Sequence, residues 1–360
     1  MKQENYFEQR DEDNILKVRA LLKELPPFCE EFFMGIEAYT STLTRLGYAR
    51  DLKIFFNFLT DNCREYSSID VREFTLKDLD TVTATHIEKY LNYLTLYTYN
   101  GKKQKNGENA RARKLSSVRA LFKYFFKKDK IKSNVCEKID TPKIHDKEII
   151  RLEVDEVVKM LNTAEDGEGF TQMQKGFHKH TRVRDYAMLS LFLGTGIRIS
   201  ECVGLNTDDF DFEQNAFRVR RKGGNRVVLY FNDEVADALK MYLRERAKNK
   251  EIPPTEKAMF LSLQNKRISV RAVEKLVKKY AEVVTPLKHI TPHKLRSTFG
   301  TNLYRETNDI YVVADCLGHK DVNTTRKHYA AISDDIRRNA ATKVKLREEW
   351  NTCLNRLLLL

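Results

Sequence analysis

Apolar residues along this chain recur mostly at intervals of three and four, the period of one face of an α-helix. In residues 5–25, Ile15, Val18, Leu22 and Leu25 fall near a common face, and Pro26 and Pro27 end the run. Four more stretches follow, at 28–39, 47–62, 85–99 and 110–130, each with apolar residues at i, i+3, i+4 and i+7. They predict a small all-α domain. The polar, glycine-containing segment NGKKQKNGEN (100–109) reads as a loop between its last two helices. Residues 134–150 hold Pro142 and no helical period, which suits a linker between domains.

Beyond the linker the pattern changes twice. LEVDEVVKMLNTA (152–164) opens a second domain, and RVRDYAMLSLFLGTGIRISECVGL (182–205) reads as a buried helix, a tight glycine turn and a second helix. AFRVRRKGGNRVVLYF (216–231) alternates apolar and polar residues on both sides of a Lys-Gly-Gly-Asn turn, which predicts a β-hairpin. Helical periodicity returns from residue 233 and runs into the tail. The expected fold class is mainly α with a small β-hairpin or sheet (α+β). The expected organisation is an N-terminal helical extension (1–26), a helical domain (27–133), a linker (134–150), a second domain (151–333) and a tail (334–360).

Charge narrows the partners. The 360 residues carry a net charge of +13, which favours a polyanion, either nucleic acid or an acidic membrane surface. The charge is unevenly placed: residues 100–134 hold twelve Lys/Arg against two acids, whereas residues 1–80 hold eleven against sixteen. No apolar run approaches the length of a membrane span, so no membrane partner is expected. Six scattered cysteines without close Cys/His pairing, and a polar, acidic N-terminus, read as a reduced cytoplasmic protein with free thiols.

Six residues in ordered series carry candidate chemistry: Arg198, Lys222, His293, Arg296, His319 and Tyr329. Arginines and histidines can hold and protonate oxygens at phosphorus, and a tyrosine can attack it, without a metal. Taken singly, each has a plain structural reading. Arg198 could be a surface arginine paired with Glu201, three residues on. His293 could merely pack near a helix start, Lys222 could be a solvated turn lysine, and a lone tyrosine among sixteen argues for nothing. His293 and Arg296, i and i+3 after Thr291 as N-cap and Pro292, leave one face near a helix N-terminus, where backbone N–H groups favour an anion. His178 and His180 lie in a glycine- and charge-rich stretch (163–183), read as a flexible loop and not a metal pair.

Together the phrases GTGIRISE (194–201), RRKGGNR (220–226), TPHKLRSTFGTNLY (291–304) and LGHKDVNTTRKHY (317–329) resemble the catalytic domain of tyrosine site-specific recombinases of the phage integrase/Xer family. The likeness extends from about Pro27 to Asp335, with the N-terminal half similar in pattern more than in motif. Length and the phrases VTPLKHITPHKLR and RKGGNR are most similar to Xer-type proteins that act as a single recombinase. Ser297 departs from the histidine that many relatives have after the arginine.

The resemblance implies a helical, SAM-like core-binding domain followed by a catalytic domain, the two clamping duplex DNA. It implies that Arg198 and Arg296 clamp the phosphate, His319 donates to it, His293 acts as acid–base and Lys222 as general acid, with Tyr329 as nucleophile. No cofactor, metal or ATP is expected. Implied partners are double-stranded DNA with an inverted-repeat site, a homotetramer on two duplexes with tail docking, and a DNA translocase; nucleoid association would follow. Arg111, Arg113, Lys114 and Arg119, on a helix whose aromatics are core, and Arg220, Arg221 and Arg226, on the hairpin, are the expected DNA contacts. Chromosome dimer resolution and mobile-element integration both stay open, as do a type IB topoisomerase and an idle DNA-binding protein.

Overall fold

A computed structural model describes residues 6–99, 101–143, 150–221, 224–318 and 322. The chain divides into two compact units, Met1–Lys147 and Glu148–Leu360.

The first unit contains helices α1 (Tyr6–Leu22), α2 (Phe28–Gly35), α3 (Thr42–Asn62), α4 (Leu76–Thr81), α5 (Ala84–Tyr93) and α6 (Glu108–Lys127). Its core is aromatic: Phe32, Phe55, Phe56, Phe74, Tyr90, Phe122 and Phe125 are fully buried. Edge-on pairs such as Phe56–Phe74 and Phe28–Phe125, both 5.4 Å between ring centres, favour the ring quadrupoles as well as burying area. Helix α1 is no detached extension. It packs on α3, with Val18 buried, Asn14 donating to the Thr42 hydroxyl (3.3 Å) and that hydroxyl donating to Asp11 (2.7 Å).

Two expectations fail in this unit. The helix expected over 85–99 stops at Tyr93, and the expected loop is a hairpin of β1 (Leu96–Tyr99) and β2 (Lys102–Lys105), antiparallel with Tyr97 opposite Gln104. The strand alternates Tyr97, buried, with exposed Leu96 and Thr98, and Gly101 takes the left-handed conformation (φ 71) that a tight turn needs. The second failure is Lys114. It is buried, its ammonium 3.1 Å from the Asp51 carboxylate, so it is paired inside the fold and not presented on the surface as expected.

The second unit is built around α8 (Gln172–Thr195), against which α7 (Val154–Asp166), α10 (Asp233–Lys248) and α12 (Pro292–Thr307) pack. Among the described residues this unit also contains α9 (Ile199–Gly204), α11 (Val270–Val284) and α13 (Ile310–Leu317). The expected hairpin forms, β4 (Ala216–Arg220) with β5 (Arg226–Tyr230), and β3 (Phe210–Asp211) extends it to three antiparallel strands. Among the described residues no helix is long and apolar enough to cross a membrane.

The stretch 163–183 is not a flexible loop. Thr171 caps α8, accepting from Gln174 N, and helix runs on from Gln172. His178 is buried, with Nδ1 3.2 Å from the Tyr280 hydroxyl, which donates to Asp185 at 3.0 Å. Asp185 also accepts from Arg184 (2.7 Å) and Lys279 (2.9 Å), so this segment is tied down by a buried polar network. His180 is exposed.

Candidate active site

Helix α8 ends where Gly196 turns left-handed (φ 60) and its N–H bonds the Phe192 carbonyl at 3.0 Å. A side chain there would be strained and crowded: a Cβ would lie 2.4 Å from the Phe299 ring and 3.0 Å from Leu317. The turn delivers Arg198 as the N-cap residue of α9. Glu201, at the third helical position, accepts from the Arg198 backbone N–H (3.0 Å) and from its Nη1 (2.9 Å). Glu201 is buried and Arg198 one-third exposed, so the carboxylate orients a guanidinium whose outer edge meets solvent.

Arg296 reaches the same place from α12. That helix starts with Pro292 at its first turn and Thr291 at the N-cap position, although Thr291 makes no side-chain capping bond. Arg296 is buried; Nη1 donates to the Gly196 carbonyl and Nη2 to the Leu317 carbonyl. Arg198 Nη2 lies 3.4 Å from the carbonyls of both Leu317 and Gly318. The two arginines are thus 98 positions apart in sequence and meet at one oxygen. His293 stands exposed on the first turn of α12, one turn before Arg296.

A third arginine completes the group. Arg221, just past β4, donates from Nη2 to the Cys316 carbonyl (2.9 Å) and from Nη1 to that of Asp315 (3.5 Å). Burial pulls its pKa below the usual arginine value; the Glu201 carboxylate opposes this and the Arg198 charge adds to it. The carbonyls of residues 315–318, the C-terminal end of α13, therefore face three guanidiniums. The last carbonyls of a helix carry partial negative charge, and that of Asp315 also accepts from Gly318 N at 2.8 Å. The chain is left-handed again at Gly318 (φ 59). Lys222, His319 and Tyr329 lie outside the described residues; Lys222 follows Arg221 directly, and His319 follows Gly318.

The expected DNA contacts separate into kinds. Arg113 is half exposed while Nη1 and Nη2 both donate to the buried Asp51, the second at 2.9 Å. Arg119 is turned to the end of its own unit, bonding the Ile139 carbonyl and the Thr141 hydroxyl. Arg111 Nη1 lies 3.5 Å from the Thr95 hydroxyl at the base of the first hairpin. Arg226 is exposed and pairs in register with half-buried Arg220. Arg221 turns inward, against its expected phosphate contact.

Two residues with structural authority over these sites escaped the sequence reading. Asp51 was legible as the one carboxylate on an otherwise apolar helical face. Arg267, which donates to the carbonyls of Val203 (2.8 Å) and Leu205 (2.9 Å) and to Asn206 Oδ1 (2.6 Å), closes the end of α9, and no local pattern announces it.

The sequence profile of the phage integrase family matches residues 150–335, which include every element just described from α7 to α13. This chain belongs to that family. It is 34% identical over 336 residues to the tyrosine recombinase XerC of Caldanaerobacter subterraneus subsp. tengcongensis, covering 90% of this chain and 88% of that one. With the tyrosine recombinase XerD of Staphylococcus epidermidis it shares 27% over 306 residues, 85% of this chain and 94% of that one. Among solved structures, the XerH site-specific recombinase bound to palindromic difH substrate superposes with a TM-score of 0.63 at 19% identity, covering 84% and 80%. The Tn1549 transposon integrase in complex with transposon right end DNA gives 0.60 at 20%, covering 87% and 99%. This phage integrase family member is a tyrosine recombinase, an enzyme that cuts and rejoins DNA through a tyrosine intermediate, and its mainly helical fold is that of its relatives.

Proposed function

We propose that this chain is a Xer-type recombinase in which Tyr329 is the nucleophile and Arg198, Arg296 and His319 hold the scissile phosphate. One observation carries the reading: the guanidiniums of Arg198 and Arg296, from different elements, converge on the Leu317 carbonyl two residues before His319. Two forks fixed at one point suit the non-bridging oxygens of a phosphodiester, and they are already oriented before charge builds on those oxygens.

In the proposed step the Tyr329 phenolic oxygen attacks phosphorus while the bond to the 5′ oxygen breaks, leaving a 3′-phosphotyrosyl ester and a 5′-hydroxyl. His293 takes the phenolic proton and Lys222 supplies one to the leaving oxygen. A 5′-hydroxyl from a second duplex then attacks the phosphotyrosine and releases Tyr329. The number of ester bonds is unchanged, so the exchange needs no ATP; no metal takes part in the proposed chemistry.

The net charge of +13 and the basic run over 100–134 support a duplex DNA partner, read at an inverted-repeat site. Identity with XerC and XerD supports the Xer-type reading, for which the role we propose is chromosome dimer resolution, with integration of a mobile element as the alternative. The reading includes a homotetramer on two duplexes joined through residues 334–360, a DNA translocase partner, and a cytoplasmic, nucleoid-associated location. A supercoiled plasmid carrying two direct copies of a site selected by the protein from a random duplex pool tests it. Resolution into two circles is expected. Relaxation alone, equally on a plasmid without sites, would make the chain a topoisomerase instead.

A further inference from the structure

We infer that Arg221 is a positioning residue that sets the hairpin carrying Lys222 against the end of α13. The inference rests on the reading above, in which Lys222 protonates the leaving oxygen. Arg221 directly follows β4 and precedes Lys222 in the chain, and its guanidinium crosses to the Cys316 and Asp315 carbonyls at 2.9 and 3.5 Å. The backbone closes the same turn from below, through Arg221 N to Asn225 O (2.8 Å) and Gly224 N to Arg221 O (3.0 Å). One residue therefore belongs to both structures: its main chain forms the base of the turn, and its side chain is bound to α13.

The contact is specific in shape. A Cβ on Gly318 would lie 1.7 Å from Arg221 Nη1, so the guanidinium occupies the space that a side chain there would take. The contact also has a cost that packing alone does not explain. Arg221 Nε is buried without a hydrogen-bond partner among the described residues, and two like charges, Arg198 and Arg221, share the neighbourhood of Glu201. A surface arginine serving as a phosphate contact would have no reason to accept that burial.

The two sides of the contact differ in what else holds them. The end of α13 is held independently by Arg198 and Arg296, through the Leu317 carbonyl. The turn of the hairpin is exposed at Gly224, Asn225 and Arg226. Loss of Arg221 thus frees the lysine side and leaves the phosphate side in place. The expected defect is a misplaced general acid, and misplacement by about 1 Å costs on the order of 10²-fold.

The leaving group gives a test that packing damage cannot imitate. Two suicide duplexes carry the site selected by wild type: one with the ordinary scissile phosphodiester, one with sulfur in place of the 5′ bridging oxygen. A thiol ionises near about pH 8.5, so thiolate departs without a proton donor. Arg221→Met should slow covalent adduct formation roughly 10²-fold on the oxygen substrate and only a few-fold on the sulfur substrate, with duplex affinity unchanged. Arg221→Lys keeps the charge but cannot span two carbonyls, and should show the same selective defect if the methionine variant fails to fold. An equal defect on both substrates, or none on either, overturns the inference. Failure of wild type to form adduct on both substrates overturns the reading it rests on, and the inference with it.

Discussion

Asp51 gives the sharpest quantitative expectation. Its carboxylate, 1% exposed on α3, accepts from Arg113 (2.9 Å for Nη2), Lys114 (3.1 Å) and the Ser117 hydroxyl (2.9 Å), all on α6. Asp51→Ala removes the acceptor and leaves the Lys114 ammonium, 6% exposed, without its counter-charge. Breaking a buried pair from one side costs about 3–5 kcal/mol, because the stranded charge keeps its desolvation penalty. Arg113 adds little to that sum, since its side chain is 56% exposed and water replaces the partner. Native-state hydrogen exchange of the whole chain, followed on peptides from α3 and α6, reads the loss locally. Protection should fall by about 10²- to 10⁴-fold there. Lys114→Met in the Asp51→Ala background should recover about 1–3 kcal/mol by removing the stranded charge. A loss below about 1 kcal/mol, as for an exposed pair, or no recovery in the double variant, would refute the burial reasoning.

Three further outcomes follow from the catalytic unit. Glu201→Gln should slow covalent adduct formation about 10- to 100-fold with little change in duplex affinity, because Arg198 loses the charged partner that aims it; single-turnover trapping measures it. Gly196→Ala should cost about 1–3 kcal/mol in urea unfolding, from a strained φ and the close Phe299 ring. His178 is held below the ordinary histidine range by burial, with the Lys279 charge adding and Asp185 opposing. Its unfolded form therefore takes the proton first: the stability from neutral His178 is complete above about pH 6.5 and is lost as pH falls through the depressed value. Tm should drop between about pH 7.5 and about pH 5, and His178→Gln should flatten that dependence.

What was legible in the sequence depended on range. Arg198 and Glu201 lie three apart at a helix start, so their pairing is a local pattern, and it forms as expected. Lys114 was misread although the signal was present: it falls in step with Ser117, Val118, Leu121 and Phe125, the buried stripe of α6. The first hairpin was missed because the apolar pattern of α5 continues into the strand, while Asn100-Gly101 marked a tight turn. The meeting of three arginines at the end of α13 could not be found this way. Their acceptors are backbone carbonyls, which every residue has, and only the tertiary fold selects the four that matter.

The most direct measurement incubates the protein in EDTA with a nicked suicide duplex carrying its selected site, comparing wild type with Tyr329→Phe. A protein–DNA adduct through the 3′-phosphate, formed by wild type in EDTA and lost in the variant, is the predicted result. An adduct that persists in Tyr329→Phe, or a wild type that binds the duplex tightly yet never joins it, would contradict the proposed nucleophile.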